Sequence, residues 1–335
     1  MIRCQINVGS KDFGLRLKIM RTSVQEIIDN YQVRKTAKQK RTFRRWLSMH
    51  SLEHSYKITK QVYKKGRGHN LIIGNPETAT VILTAHYDTP PSAIFPIATI
   101  VGNVPMYILS QILIFAPVIG LAWAVYFGLN YFVDDLGQLN RLAPFLWFEV
   151  PVVVLVLLII WCLQMMIGFA NRHNVNDNTS GVAVLISLLE DLPVEKRAKV
   201  CFVLFDEEEK GLEGAKAFKA QYASHIKDKP LINFDCVAHG KTLLFVIKKG
   251  FKKSKYFDLL TTITNNQAVV KNATRCVYAS DQLLFKNGVG VVAVHKIPFI
   301  GYYLSRLHSR FDTKFDEKNI EKLKAMMIEL IINLP

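Results

Sequence analysis

The sequence predicts an α/β chain: a three-layer α/β/α sandwich with a mixed central sheet, interrupted by a two-helix transmembrane hairpin. Three observations lead there. Short apolar runs alternate with helical patterns on either side of a long uncharged middle. Acidic and histidine residues stand just past several of those runs, at the edge where open α/β sheets build their sites. No charged residue occurs between Asp88 and Asp134, and a second uncharged stretch runs from Val150 to Ala170.

The elements follow in order. Residues 24–53 read as one helix, with basic residues around Val24, Ile27, Ile28, Trp46 and Leu47. Residues 70–73 and 80–85 read as strands separated by a turn at Gly74-Asn-Pro76. A helix over 181–192 is opened by Asn178, Thr179 and Ser180. Residues 200–205 and 231–234 are buried strands, 243–247 and 289–294 further ones. Residues 317–333 form a closing helix with Ile320, Leu323, Met327, Leu330 and Ile331 on one face.

The middle is read by a different rule. A bilayer crossing needs about 20 apolar residues, and spans near 106–128 and 150–170 meet that length. Tyr131, Phe132, Trp147 and Phe148 stand near their ends, as interfacial aromatics do. Residues 93–104, with Pro96 and Pro105 nearby, read as an interfacial or re-entrant lead-in. The chain therefore divides into a split catalytic domain, 1–91 and 173–335, and an inserted hairpin, 92–172. The outer loop, 130–149, carries Asp134, Asp135 and Glu149 against Arg141. With a strongly basic flanking domain, this predicts an integral membrane protein, in the cell membrane if bacterial, whose catalytic domain faces the cytoplasm.

Half of the 335 residues are apolar and the formal charge is +16. The surplus is uneven: residues 1–68 hold seventeen Lys and Arg against four acids. This basic N-terminal part could rest on anionic lipid headgroups or simply be solvated. Nucleic acid is not expected, because no recognisable binding motif accompanies the charge. The five cysteines are scattered without a CxxC, which argues against a disulfide framework and a thiolate metal site. The first apolar stretch, broken by Lys11, Arg16 and Lys18, does not read as a signal peptide.

The chemistry lies in five short motifs. His86 can offer a neutral imidazole to zinc, with Asp88 orienting it. Asp177, ahead of a helix, is either a plain cap or a carboxylate able to bridge two cations. In the run Asp206-Glu-Glu-Glu209, neighbouring glutamates point to different sides. Glu209 is assigned as a metal ligand and Glu208 as the general base. Asp235, ending an apolar strand, fits the terminal carboxylate of one zinc, and His308, with Asp312 beyond it, fits the other.

The phrases Thr84-Ala-His-Tyr-Asp-Thr89, Asn176-Asp-Asn-Thr-Ser-Gly-Val182, Glu208-Glu-Lys-Gly-Leu-Glu-Gly214, Asn233-Phe-Asp235, Ser280-Asp281 and His308-Ser-Arg-Phe-Asp-Thr313 resemble the co-catalytic zinc aminopeptidases of clan MH. That group also holds glutamate carboxypeptidase-like proteins and glutaminyl cyclases. The resemblance implies an eight-stranded mixed sheet of the zinc exopeptidase type and two Zn²⁺ per chain, with Co²⁺ or Mn²⁺ as substitutes. It implies one zinc on His86, Asp177 and Asp235, the other on Asp177, Glu209 and His308, and Glu208 as base. The implied activity is removal of N-terminal residues from a peptide. Two features depart from the pattern: Gln282 follows Ser280-Asp281 where many relatives carry histidine, and the hairpin fills a normally short loop.

Three other readings compete with a membrane-anchored zinc aminopeptidase. A glutaminyl cyclase-like acyltransferase would use much the same ligands. A non-catalytic binding relative would not need Glu208. A nucleic-acid-binding membrane protein would rest on charge alone.

Overall fold

The computed structural model describes residues 22–93, 97–102, 104–135 and 143–335. Residues 1–21, Pro96 and Arg141, on which the signal-peptide, lead-in and outer-loop readings partly rest, lie outside the described residues.

The expected single N-terminal helix is two: α1 over 22–30 and α2 over Ala37–Glu53. Thr36 caps α2 in a reciprocal box with Gln39, so a helix start is written into the middle of the basic stretch. Between the helices the fully buried Arg34 turns inward. Its guanidinium donates to the carbonyls of Tyr31 and Tyr87 and to the Thr179 hydroxyl.

The strands follow as β1 (Ile58–Tyr63), β2 (Gly68–Ile73), β3 (Val81–His86) and β4 (Ile97–Val101). Two long helices come next, α3 (Val104–Asp135) and α4 (Ala143–Ile167). Then come α5 (Ser180–Asp191), β5 (Val200–Phe205), α6 (Glu213–Ile226), β6 (Leu231–Phe234), β7 (Thr242–Ile247), α7 (Lys249–Lys252), α8 (Phe257–Thr264) and β8 (Val269–Asn272). The chain closes with β9 (Gly288–Ile297), β10 (Gly301–Leu307) and α9 (Glu317–Ile332).

The main sheet runs β1-β2-β5-β3-β6-β9-β7-β8. Its central pairs β5-β3, β3-β6 and β6-β9 are parallel, while β1-β2, β2-β5 and β9-β7 are antiparallel, which makes the sheet mixed. The long strand β9 runs beyond β7 to pair with β10, and β10 pairs with β4. Residues 97–101, expected as an interfacial lead-in, are therefore a sheet strand inside the segment assigned to the insertion. An uncharged run hides this boundary, because strand and span share the same composition.

Strand alternation sends side chains to opposite faces. Leu83, Phe202, Ile232 and Val291 face a layer of α2, α5, α8 and α9, packing with Trp46, Leu185, Leu260 and Met327. Ile82, Val203, Phe205 and Leu231 face α6 through Ala215 and Phe218. On that second face, further along, Leu244, Val246 and Val292 pack with Val101 and Leu304 of the β4–β10 extension.

The helices α3 and α4 pack against each other. One stretch, Val104–Val125, is long and apolar enough to cross a membrane; in α4 the described apolar stretch is the shorter Leu155–Met165. A second full-length span is thus not established. Both helices nevertheless expose apolar side chains, among them Ile112, Leu113, Leu121, Trp123, Leu155 and Ile160. Cys162, Cys201, Cys236 and Cys276 are free.

Candidate metal centre

Parallel pairing puts the carboxyl ends of β3, β5 and β6 at one edge of the sheet. His86 is the last residue of β3, Asp235 the first beyond β6, and Glu208 and Glu209 follow β5 by one turn. Asp177 enters from the turn before α5, joined to Asn178 by a cis peptide bond, and His308 from the residue after β10.

Each of these positions is held by backbone hydrogen bonding that the sequence specifies. Asp312 accepts the backbone N–H groups of Asn176 and Asp177, at 2.9 and 3.0 Å. The Asn176 side chain accepts from the N–H groups of Ala238 and His239, and Ser180 accepts from Val237, tying the Asp177 turn to the Asp235 loop. Asn178 donates to the Phe234 carbonyl and accepts from the Gly181 N–H. Gly181 must be glycine, since a Cβ there would stand 2.2 Å from the Phe234 carbonyl oxygen.

The acidic run divides by direction. Asp206 is fully buried and paired with the Lys40 ammonium. It also accepts the N–H groups of His69 and Glu207. Glu207 takes a left-handed φ of 57° and turns its carboxylate to Lys64 and Lys210. Glu208 and Glu209 then face the opposite way, and their N–H groups donate to the two Asp88 oxygens at 3.0 and 3.3 Å. Asp88 was expected to orient His86, and the ring nitrogen does stand 3.5 Å from it, but the nearer partners are these two N–H groups. Lys40 and Asp206 are 166 residues apart, and no sequence signal links them.

His86 Nε2 lies 3.4 Å from Asp177 Oδ1 and 3.5 Å from Asp235 Oδ1. His308 Nε2 lies 3.2 Å from the other Asp177 oxygen and 3.6 Å from Glu209 Oε2. Three three-residue groups result: His86–Asp177–Asp235 and Asp177–Glu209–His308, which share Asp177, and His86–Glu208–Glu209. Two donors each about 2.0–2.1 Å from a tetrahedral zinc stand roughly 3.4 Å apart. The observed spacings straddle that value. Asp235 Oδ1 is buried without a hydrogen-bond partner among the described residues.

Electrostatics point the same way. Burial pushes the Glu209 carboxyl up to about 8, with Asp177 adding to the rise and His308 opposing it. Burial likewise holds Glu208 well above the usual carboxylate range, reinforced by Glu209, Asp281 and Asp235. Burial acts to lower His308, but the Glu209 charge and the Asp177 hydrogen bond outweigh it and raise the imidazole to about 9. A site crowded with buried carboxylates needs a compensating cation or protons. The donor types and spacings fit zinc or a similar divalent ion.

A cavity of about 220 Å³ opens over these residues. Tyr278 lines it and donates its hydroxyl to the Asp235 carbonyl at 3.0 Å. Tyr107 and Gln111 of α3, with Thr99 of β4, form a further wall. Asp281 is fully buried, with neither oxygen hydrogen-bonded among the described residues. Gln282, the departure noted above, is buried under β6, accepting from Asn233 and donating to the Tyr278 carbonyl. The wall from α3 could not be read from sequence, because nothing in an apolar span marks the residues that face a pocket.

No curated protein sequence matches the chain. A glutaminyl cyclase from Bacteroides thetaiotaomicron, solved with N-acetylhistamine, superposes with a TM-score of 0.54 at 14% identity, covering 94% of this chain and 97% of that one. A Zn-dependent exopeptidase from Parabacteroides distasonis gives 0.53 at 13% identity, covering 95% and 97%. The LapA aminopeptidase of Legionella pneumophila gives 0.52 at 10%, covering 99% and 76%. At such identities these likenesses establish the shared fold. Residues 168–331, which carry Asp177, Glu208, Glu209, Asp235 and His308, match the profile described as Peptidase family M28. That match spans residues 168–331, just under half of the chain, and with the shared fold it marks a hydrolase of the metallo-exopeptidase class.

Proposed function

We propose that the protein is a membrane-anchored, zinc-dependent aminopeptidase that removes N-terminal residues from peptides. The observation that carries the reading is the pair of three-residue donor groups sharing Asp177, with Glu208 beside them, outside that pair and grouped with His86 and Glu209. His86, Asp177 and Asp235 would hold one ion, and Asp177, Glu209 and His308 the other. Zinc bound there supplies Lewis-acid chemistry, polarising a peptide carbonyl and making water acidic enough to attack.

The chain's own residues supply the rest. Glu208 accepts the proton of the attacking water at its carboxylate and returns it to the leaving amine. Its burial keeps it proton-hungry, which suits that exchange. Asp88 fixes the peptide units of Glu208 and Glu209, so that base and ligand hold their spacing. The helices α3 and α4 would anchor the domain in a bilayer, supported by the apolar side chains that both expose. The catalytic domain would lie on the cytoplasmic side, with its basic N-terminal part against anionic headgroups.

The test is the Glu208→Gln variant, purified in detergent beside the parent. At least two zinc per chain in both, with turnover of an aminoacyl chromogenic substrate falling by about 10²–10⁴-fold in the variant, is the expected result. Full activity in the variant, or no bound metal in the parent, would sink the reading. Glutaminyl cyclases among the fold neighbours support a second reading, cyclisation of an N-terminal Gln peptide. Assaying that substrate on the same preparations separates the two.

A further inference from the structure

We infer that the pocket takes its substrate from the bilayer, and that Tyr107 and Gln111 are the positioning residues that receive it. This rests on the membrane-anchored aminopeptidase reading and names its substrate class: peptides held in the membrane with a free N-terminus at its surface.

The argument begins on α3. Tyr107 and Gln111 are one helical turn apart, so they share a face, and that face lines the cavity above His86 and Glu208. Ser110, on the same side, is buried. The other faces of the same turns, Ile108, Leu109, Ile112 and Leu113, are exposed and apolar. One short stretch of helix is thus pocket wall on one side and lipid-compatible on the other.

The depth of the pocket follows from length. The first charge after Asp88 is Asp134. A hydrocarbon core of about 30 Å takes about 20 helical residues. Counting back from Asp134 puts the near surface close to residue 114, less than one turn beyond Gln111. If the span begins instead at Val104, where the apolar stretch starts, Tyr107 and Gln111 lie about 5 and 10 Å inside it. Either way the pocket opens at the membrane surface or within its outermost third. The junction on α4 agrees: Gln164 donates to the Ser92 carbonyl, and Ala170 bridges Pro91, so the domain is stitched to the helices at the same level.

The experiment uses the full chain in phosphatidylcholine–phosphatidylglycerol vesicles. Two peptides share one N-terminal residue and sequence, and one carries a C-terminal palmitoyl-lysine anchor. We expect at least a tenfold higher kcat/KM for the anchored peptide, lost when enzyme and peptide occupy separate vesicles. Tyr107→Ala with Gln111→Ala should raise KM for the anchored peptide more than it lowers kcat. A second measurement keeps binding apart from chemistry: Tyr107→p-benzoylphenylalanine, combined with Glu208→Gln, should photo-crosslink to the anchored peptide. Equal kcat/KM for both peptides, or no crosslink, overturns the inference. A crosslink in a protein whose parent cleaves neither peptide would leave this inference standing and sink the peptidase reading.

A different observation carries a second inference. We propose that His50, His54 and Glu190 form a further divalent-metal site, independent of the pocket. His50, in the last turn of α2, and His54, at its C-cap, are spaced i, i+4, and Glu190 reaches them from α5. One ligand atom from each lies within 4.8 Å of the others. The Glu190 side chain is only 5% exposed, yet neither of its oxygens has a hydrogen-bond partner among the described residues. His50 Nε2 stands 2.9 Å from one of them, and the Trp46 ring stacks on the imidazole at 5.1 Å, fixing it. Two histidines and a glutamate are a zinc donor set. Glu53, beside His54, is exposed, so the site holds an ion without a base and is structural.

The test removes the pocket ligands first. In a His86→Ala, His308→Ala background, added Zn²⁺ should still bind at one ion per chain, and His54→Gln should abolish it. In the parent, His54→Gln should lower zinc content by one ion with peptidase activity unchanged. Zinc content unaffected by His54→Gln in both backgrounds overturns the proposal.

Discussion

Asp88→Asn isolates the contribution of one carboxylate that need not touch the reaction. Each Asp88 oxygen accepts one backbone N–H, from Glu208 and from Glu209. The carboxylate is 3% exposed, so water does not substitute. Asparagine keeps one acceptor and turns an NH₂ toward the other N–H. A charged hydrogen bond is worth roughly 1.5–3 kcal/mol, and a buried unpaired donor costs about 1–3 kcal/mol. Some of that overlaps, so a net loss of about 3 kcal/mol is a fair magnitude. Because the strain falls on the peptide units of base and ligand, it should appear in the reaction as about a hundredfold fall in kcat/KM. The assay is steady-state turnover of an aminoacyl chromogenic substrate, with zinc content and a urea midpoint on the same protein. A variant within threefold of the parent in kcat/KM and unchanged in midpoint would refute the clamp.

Three further outcomes are expected. Lys40→Met leaves Asp206 buried without its cation, and should lower stability by about 3–5 kcal/mol in urea titration; a loss under 1 kcal/mol would contradict the pairing. Removing metal with a chelator should lower the melting temperature, because an ion present at 1,000 times its Kd stabilises by about 4 kcal/mol per site; a chelator-insensitive melt would count against a bound ion. Burial, then His295, Arg306 and Lys314, lower the His239 imidazole to about 4. The unfolded chain takes up that proton near pH 6.5 and the folded one does not, so stability is full above pH 6.5 and lost as pH falls toward 4. His239→Gln should flatten the acid limb of a melting-temperature profile, and identical profiles would dismiss His239 as a contributor.

What could be read from the sequence is what local chemistry writes. The runs at 81–86, 200–205 and 231–234 are buried throughout and mostly apolar, because parallel strands are covered on both faces. That is why an acid or histidine at their ends stood out. The Asp177 turn was legible as an opening to α5 through Asn178, Thr179 and Ser180, although the bridging role proposed for it had no local signal. The break at Arg34 was missed, because a buried arginine satisfied by carbonyls looks like any other basic residue on a helix. Strand β10 was missed for a similar reason: in Gly301–Leu307 most side chains are half-buried, so the alternation is weak. Strand β4 vanished into the uncharged run beside it.

The basic N-terminal part shows why composition alone misleads about partners. Two of its cations, Arg34 and Lys40, are not a surface at all. They lie beneath the acidic turn, at 0% and 7% exposure, and divide the carboxylates of the site into two sets. Burial alone would push Asp88 up, but His86 and Lys40 outweigh it and hold its carboxyl below the usual range. It therefore stays an anion and can serve as a fixed acceptor. Glu208 and Glu209 sit on the far side of that clamp, facing His86, His308 and one another. Among the described residues no lysine or arginine is paired to them, and both remain high, as the proposed roles of ligand and base require. Exchanging the sets would spoil both roles: a carboxylate paired to lysine is a poor base, and an unpaired one is a poor anchor for two peptide N–H groups. The fixed charge of Asp88 is thus set by His86 within the pocket and, from outside it, by Lys40, a cation that the sequence offers only as part of a basic run.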